Sequence, residues 1–222
     1  MSLPKHSTQW VVKRFDGPLG LEMQVAPIPQ LGLNDVMMKV HAISLNYHDV
    51  GTTRGTGGVS TFAILFAKAA GAKVIATTSL VEKAKKLHEM GADYVINYRD
   101  VENWGTQAQA LTPGEEGVDV VVEIRGGATL RQSLVAVKMD GLISVVGVRA
   151  DTHPEEQPVL MDMFFRFCTT RIAYVGPRMQ FEEMNRAIEA NDINPVIDGR
   201  AFSLKEARAI VADSCYDELR SS

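Results

Sequence analysis

Residues 55–60 read Gly-Thr-Gly-Gly-Val-Ser and run directly into an Ala-rich stretch that Gly71 closes. Glycines at 55 and 57 open backbone angles closed to other residues and remove the Cβ that would hold a phosphate away from the main chain. The N–H groups left unpaired at the start of the following helix attract negative charge. Gly55, Gly57, Gly58 and Val59 are therefore a candidate cradle for a dinucleotide pyrophosphate. Ser60 occupies the third fingerprint position in place of glycine, which loosens the close helix packing that a glycine there allows. On these six residues alone a plain turn fits equally well, and the flanking elements must decide.

Those elements alternate. The pattern predicts a helix over 59–70 ended by Gly71, a strand over 73–77, a helix over 81–90 ended by Gly91, and a strand over 94–97. A weaker helix over 101–111, a turn at Thr112-Pro113-Gly114 and a β-branched strand over 118–123 follow. Beyond Gly126-Gly127 come a helix over 129–138, a turn at Asp140-Gly141 and a strand over 142–146. Strand and helix alternating at this pace imply a parallel sheet with right-handed crossovers. Residues 151–158 read as a surface loop, 160–167 as amphipathic, 171–175 as one more strand, 181–190 as a helix, 195–197 as extended, and 204–212 as a last helix. The first 50 residues differ in kind, with strand-like alternation over 9–15 and 36–46 between prolines.

Composition sets bounds. The chain has 222 residues, 45% hydrophobic and 23% charged, with a formal charge of −4, which suits a soluble globular protein and gives no basic stripe for nucleic acid. The longest apolar runs are too short to cross a bilayer, and the first ten residues lack a signal-peptide core, so no membrane is expected and the location is expected to be cytoplasmic. Cys168 and Cys215 are the two cysteines, without Cys-x-x-Cys spacing or a nearby histidine pair, so no metal site is expected.

In this order the sequence resembles the medium-chain dehydrogenase/reductase superfamily, in its zinc-free, quinone-oxidoreductase-like branch, close to the zinc-type alcohol dehydrogenase-like proteins. The likeness rests on Leu45-Asn46-Tyr47-His48-Asp49, the glycine block with Ala67-Lys68-Ala69-Ala70-Gly71-Ala72, Gly91-Ala92-Asp93-Tyr94-Val95-Ile96-Asn97-Tyr98, Val121-Val122-Glu123 with Gly126-Gly127, and Gly141-Leu142-Ile143-Ser144-Val145-Val146-Gly147. The resemblance implies an α/β fold: a Rossmann-like parallel sheet with helices on both faces, preceded by a β-rich remnant of a GroES-like domain. The expected divisions are 1–50 for the partial catalytic domain, 51–185 for the dinucleotide-binding domain and 186–222 for a C-terminal return segment. It also implies hydride transfer between a nicotinamide and a small-molecule substrate, and a homodimer paired through the strand at 171–175.

Within that frame, Asn46 matches a position that would hold the ribose or amide, and Tyr47 or His48 one that would relay a proton. Tyr47 starts from a pKa of about 10 and His48 from about 6.5, so the tyrosine needs more help as an acid. A strand end with a half-buried tyrosine and a solvated histidine is the alternative. An NAD site places Asp or Glu at the end of the second strand, about 20 residues past the glycines, to bond the ribose 2′-hydroxyl. Here that strand ends Thr77-Thr78-Ser79, Lys83 follows one turn into the next helix, and Tyr98 closes the next strand. Thr78, Ser79, Lys83 and Tyr98 thus favour NADP(H) over NAD(H). Alternatively, Ser79-Leu80-Val81-Glu82 is a capping box and Lys83 a solvated charge. Gly126, Gly127, Val146 and Gly147 fall at carboxyl ends of strands, where open parallel sheets place ligands, or else form ordinary strand-end turns.

The sequence also departs from the pattern. Residues 47–54, Tyr-His-Asp-Val-Gly-Thr-Thr-Arg, hold one strongly apolar residue, so the buried strand that carries a glycine turn is expected to be poor or absent. A domain-sized stretch of the relatives' catalytic domain is missing before Gly55, and the chain reads as internally truncated. Loss of a central strand leaves apolar strand edges open.

Overall fold

Helix α1, Gly58–Ala69, is built from alanine and apolar residues and ends in a Schellman turn, where Gly71 N–H bonds Lys68 O at 2.9 Å and Ala72 N–H bonds Ala67 O at 2.9 Å. Helix α2, Val81–Glu89, stops the same way, with Gly91 N–H on His88 O and Ala92 N–H on Leu87 O. Both closing glycines have positive φ, +75° and +100°, the left-handed geometry that makes glycine the ordinary stop signal here. The computed structural model describes residues 4–14, 17–30, 32, 37–39, 58–147, 157–197 and 201–210. The chain divides into two units, Met1–Thr53 with Asp198–Ser222, and Arg54–Ile197.

In the larger unit, β3 (Ile75–Thr78) pairs in parallel with β4 (Tyr94–Asn97), Ile75 opposite Tyr94 and Thr78 opposite Asn97. Next come α3 (Trp104–Ala110), a 3-10 turn at Pro113–Glu115, β5 (Val118–Glu123), α4 (Gly127–Ala136), β6 (Val137–Val145), α5 (Leu160–Arg166), β7 (Thr169–Ile172) and α6 (Arg178–Ala190). Strands β5, β6 and β7 form a second parallel sheet with β6 in the middle. One core cluster, Ile64, Leu87 and Ala92, joins α1 and α2 to the first sheet, and another, Leu134, Val137, Ile143 and Val145, lies against the second. Ile96, Ala108 and Ala136 form a third with Ile75, Trp104 and Val118 packed on it, and this one ties the two sheets together through α3. At the opening of the first sheet, Asp93 Oδ2 accepts from Val74 N–H at 2.7 Å and from Lys68 Nζ at 2.9 Å, fixing the end of α1 to the strands. The Lys68 ammonium and the Val74 N–H hold the Asp93 carboxyl below its usual range.

The parallel α/β reading is correct, and the β4 and β5 spans match the expectation residue for residue. The 127–146 region differs. A helix over 129–138 and a strand from 142 were expected, but α4 ends at Ala136 and β6 starts at Val137, passing through Asp140 at φ 59°. Pairing of Val137 with Val118 across the sheet draws the chain into the extended state earlier than local helix propensity would. The expected strand at 171–175 is β7 at 169–172, and 195–197 belongs to no element.

In the smaller unit, β1 (His6–Val12) and β2 (Leu21–Pro27) make an antiparallel pair, consistent with the β-rich leader. The 3-10 turn Leu204–Glu206, where a helix was expected to begin, packs beside it: Trp10 Nε1 donates to Leu204 O at 2.7 Å, and Arg208 donates to Leu19 O and Leu21 O. Among the described residues no helix is long and apolar enough to cross a membrane.

Candidate functional site

At the carboxyl ends of β3 and β4 the sheet gathers three of the predicted residues. Tyr98 N–H bonds Thr78 O at 3.0 Å, which sets Tyr98 beside the Thr78-Ser79 turn. Thr78 is 1% exposed and its Oγ1 accepts from Leu80 N–H at 3.4 Å, so this hydroxyl shapes the strand-to-helix turn from inside. The capping-box alternative for Ser79 is not what forms: the N-cap of α2 is Leu80, with no side-chain cap bond. Ser79 stands half-buried just ahead of the helix, and Lys83 lies half-buried on its first turn. No Asp or Glu ends β3, which reads Ile-Ala-Thr-Thr before Ser79.

A second cluster forms where β5 and β6 end. Glu123, the last residue of β5, is 4% exposed, and its carboxylate is filled with donors. Oε1 accepts from Arg125 N–H at 2.8 Å, Gly126 N–H at 3.1 Å and the Thr129 hydroxyl at 2.7 Å, while Oε2 accepts from the buried Ser133 hydroxyl at 2.6 Å. Thr129 and Ser133 lie four apart on α4, so both reach the same carboxylate from one helix face. This clamp holds Gly126 as the N-cap of α4 at φ 75° and ψ −131°, a backbone open in practice to glycine alone, and Gly127 as the first helical residue. The Glu123 carbonyl accepts from Val146 N–H at 2.8 Å and Gly147 N–H at 3.4 Å, which brings all four predicted residues of this end together. Sequence reasoning did not name Glu123 as a site organiser. Its signal was there: an acid ending a β-branched strand, with Gly-Gly three residues on and hydroxyls at 129 and 133.

Gly147 is required for a different reason. A Cβ on it would meet Ile124 O at 2.3 Å, so the β6 end lies against the β5 end with no room for a side chain. Gly147→Ala is expected to destabilise the larger unit by about 2 kcal/mol, the usual scale of overpacking against backbone. Urea unfolding of the variant checks this, and an unchanged midpoint would contradict the close approach.

A cavity of about 620 Å³ runs between the two sheets. Its carboxyl end is lined by Ser60, Thr77, Tyr98, Ile124, Arg125 and Thr129, so Tyr98 from the first cluster and the β5 turn of the second face one space. The described part of the glycine cradle is its last residues. Gly58 is exposed with nothing within 4 Å of a Cβ built on it, Val59 is exposed, and the first turn of α1 carries no acid that would repel a phosphate. Gly55, Gly57, Asn46, Tyr47 and His48 lie outside the described residues.

The family profile for zinc-binding dehydrogenases matches residues 58–190, from the start of α1 to the end of α6. The chain belongs to that family. A zinc-type alcohol dehydrogenase-like protein of Schizosaccharomyces pombe is 40% identical over 158 residues, 69% of this chain and 45% of that protein. Quinone oxidoreductase of Pongo abelii is 34% identical over 112 residues, 47% of this chain and 33% of the other. Among solved structures, alcohol dehydrogenase TADH from Thermus sp. ATN1 is similar with a TM-score of 0.63 at 28% identity, covering 74% of this chain and 47% of that one. The resemblance to medium-chain dehydrogenases drawn from the dispersed motifs is therefore correct. The chain spans about half the length of the curated relatives it matches. Despite the family's name, among the described residues no three His, Cys, Asp or Glu side chains gather as metal ligands do. Cys168 packs half-buried against the Leu134 cluster.

Proposed function

We propose that this zinc-binding dehydrogenase family chain binds NADP(H) along the carboxyl ends of its strands and works as an oxidoreductase on a carbonyl, quinone or activated double bond. The carrying observation is the end of β3: Thr77-Thr78-Ser79 offers no carboxylate to a ribose 2′-hydroxyl, and Ser79 is not consumed as a helix cap. In this reading Gly55, Gly57 and the first N–H groups of α1 hold the pyrophosphate, while Ser79, Lys83 and Tyr98 receive the 2′-phosphate. Gly126, Gly127, Val146 and Gly147 line the nicotinamide end. Asn46 positions the ribose or amide, and Tyr47 or His48 moves a proton at the substrate oxygen. The bound nicotinamide supplies the hydride.

A carboxylate placed at the end of β3 separates this reading from an NAD(H) site. Ser79→Asp is expected to weaken NADPH at least 30-fold, by repulsion of the 2′-phosphate, and to change NADH less than threefold. Equal effects on the two would contradict the assignment.

The direct join of the Leu45-Asn46-Tyr47 block to the glycine turn supports a second reading, a catalytically inactive paralogue that retains nucleotide binding or oligomerises. Oxidation of NADPH with any member of a quinone and enone panel excludes it, whereas NADPH affinity without consumption supports it. Homodimerisation through β7 belongs to the proposal. Among the described strands it pairs only with β6, and Ile172 on it is 80% exposed. Ile172→Lys is expected to convert a sedimenting dimer to monomer, and a wild-type chain that is monomeric throughout the micromolar range contradicts this part.

A further inference from the structure

We propose that the cavity between the two sheets is a binding site for an extended apolar peptide strand supplied by another chain, which pairs with β3 on one side and β5 on the other. β3 hydrogen-bonds only to β4 and β5 only to β6 among the described strands, so each presents one unpaired backbone edge. Those two edges line the same cavity, residues 73–77 from one side and 117–124 from the other. Backbone donors and acceptors facing a shared slot select a β-strand above other ligands, because it alone meets both rows at once. The edges are four and six residues long, which sets the length of the guest.

The walls state what its side chains must be. α1 turns Ala63, Ile64 and Ala67 to the slot and the opposite face presents Trp104, Ala108 and Leu111, so a guest buried on both faces must be apolar on both sides. Arg125 Nε, at the carboxyl end of the slot, is buried without a hydrogen-bond partner, a donor that a guest carbonyl would satisfy. The residues directly before the glycine turn, 47–54, contain one strongly apolar residue and do not fit these walls, which directs the site to a strand from elsewhere.

The full chain, carrying Trp10→Phe so that Trp104 alone reports, is titrated with fluorescein-labelled KTVLVTGK amide. Expected are saturable binding at micromolar concentration, a blue shift of Trp104 emission, and slowed amide hydrogen exchange in both 75–78 and 118–123. A polar peptide of the same length and charge, KTSNSTGK amide, binds at least 20-fold more weakly. Ala67→Phe fills the slot from α1 and abolishes binding, and its thermal midpoint, equal to or above that of the parent, separates blockage from misfolding. If Ala67→Phe fails to fold, Ala63→Leu serves as the second filling variant. Three results overturn the proposal: no peptide binding, protection confined to the outer edges β4 or β7, or Trp104 shielded from acrylamide before peptide is added. The last would mean that this chain or a second copy already fills the slot.

Discussion

Glu123→Ala is expected to lower the unfolding free energy of the larger unit by about 4 kcal/mol, the largest effect of any single substitution in its strand-end turns. The carboxylate is buried and receives two backbone N–H groups and two hydroxyls, all between 2.6 and 3.1 Å. Alanine leaves Arg125 N–H, Gly126 N–H and the 1% exposed Ser133 hydroxyl without an acceptor. Each such group costs about 1–3 kcal/mol when buried, partly relieved where a hydroxyl rotates or water enters. Glu123→Gln keeps the shape and one oxygen for three of the donors, and Ser133 reverses to accept from the new amide. It is expected to lose only about 1–2 kcal/mol. Denaturant unfolding of the pair tests this: alanine within about 1 kcal/mol of wild type would mean that the clamp contributes little. Because Gly126 hangs from that carboxylate, alanine is also expected to weaken nucleotide binding more than its effect on stability explains.

Gly57→Val is expected to weaken NADPH at least 100-fold, about 2.7 kcal/mol or more, with the fold retained. The second glycine of the fingerprint is where the backbone must come closest to the pyrophosphate, and a branched Cβ both fills that space and restricts the turn. Gly58→Ala is the matched control. A Cβ there meets nothing within 4 Å, so the protein accepts it, and binding is expected to fall by less than fivefold. Circular dichroism and melting of both variants keep loss of binding distinct from loss of structure. Similar losses in the two variants would move the cradle away from residue 57.

What the sequence disclosed and what it hid have physical causes. Helix stops at Gly71 and Gly91 were legible because left-handed geometry at a helix end is written in the residue type itself. The strands at 94–97 and 118–123 were legible because β-branched runs lay between unmistakable breakers. The start of β6 was hidden, since Val137 is extended only because Val118 stands across from it, a contact of the tertiary fold. A cap at Ser79 was the alternative to a phosphate contact because the four residues from 79 to 82 have the right types, yet the helix starts one residue later and leaves that bond unmade. Of the site, the glycines and strand ends were visible as motifs. The Glu123 clamp was not, because a carboxylate ending a strand looks solvent-facing until its four donors are seen around it. The sparse apolar content of 47–54 was legible in the residue types themselves, and those residues lie outside the described ones.

In the proposed function this chain holds NADP(H) through its glycine turn. Calorimetric titration of the wild-type chain and Gly57→Val with NADPH, and of the wild type with NADH, tests it most directly. The account predicts saturable 1:1 binding of NADPH, at least tenfold tighter than NADH, and reduced at least 100-fold in Gly57→Val. Equal NADPH affinity in the two proteins, tighter binding of NADH, or no NADPH binding by the wild type would contradict it.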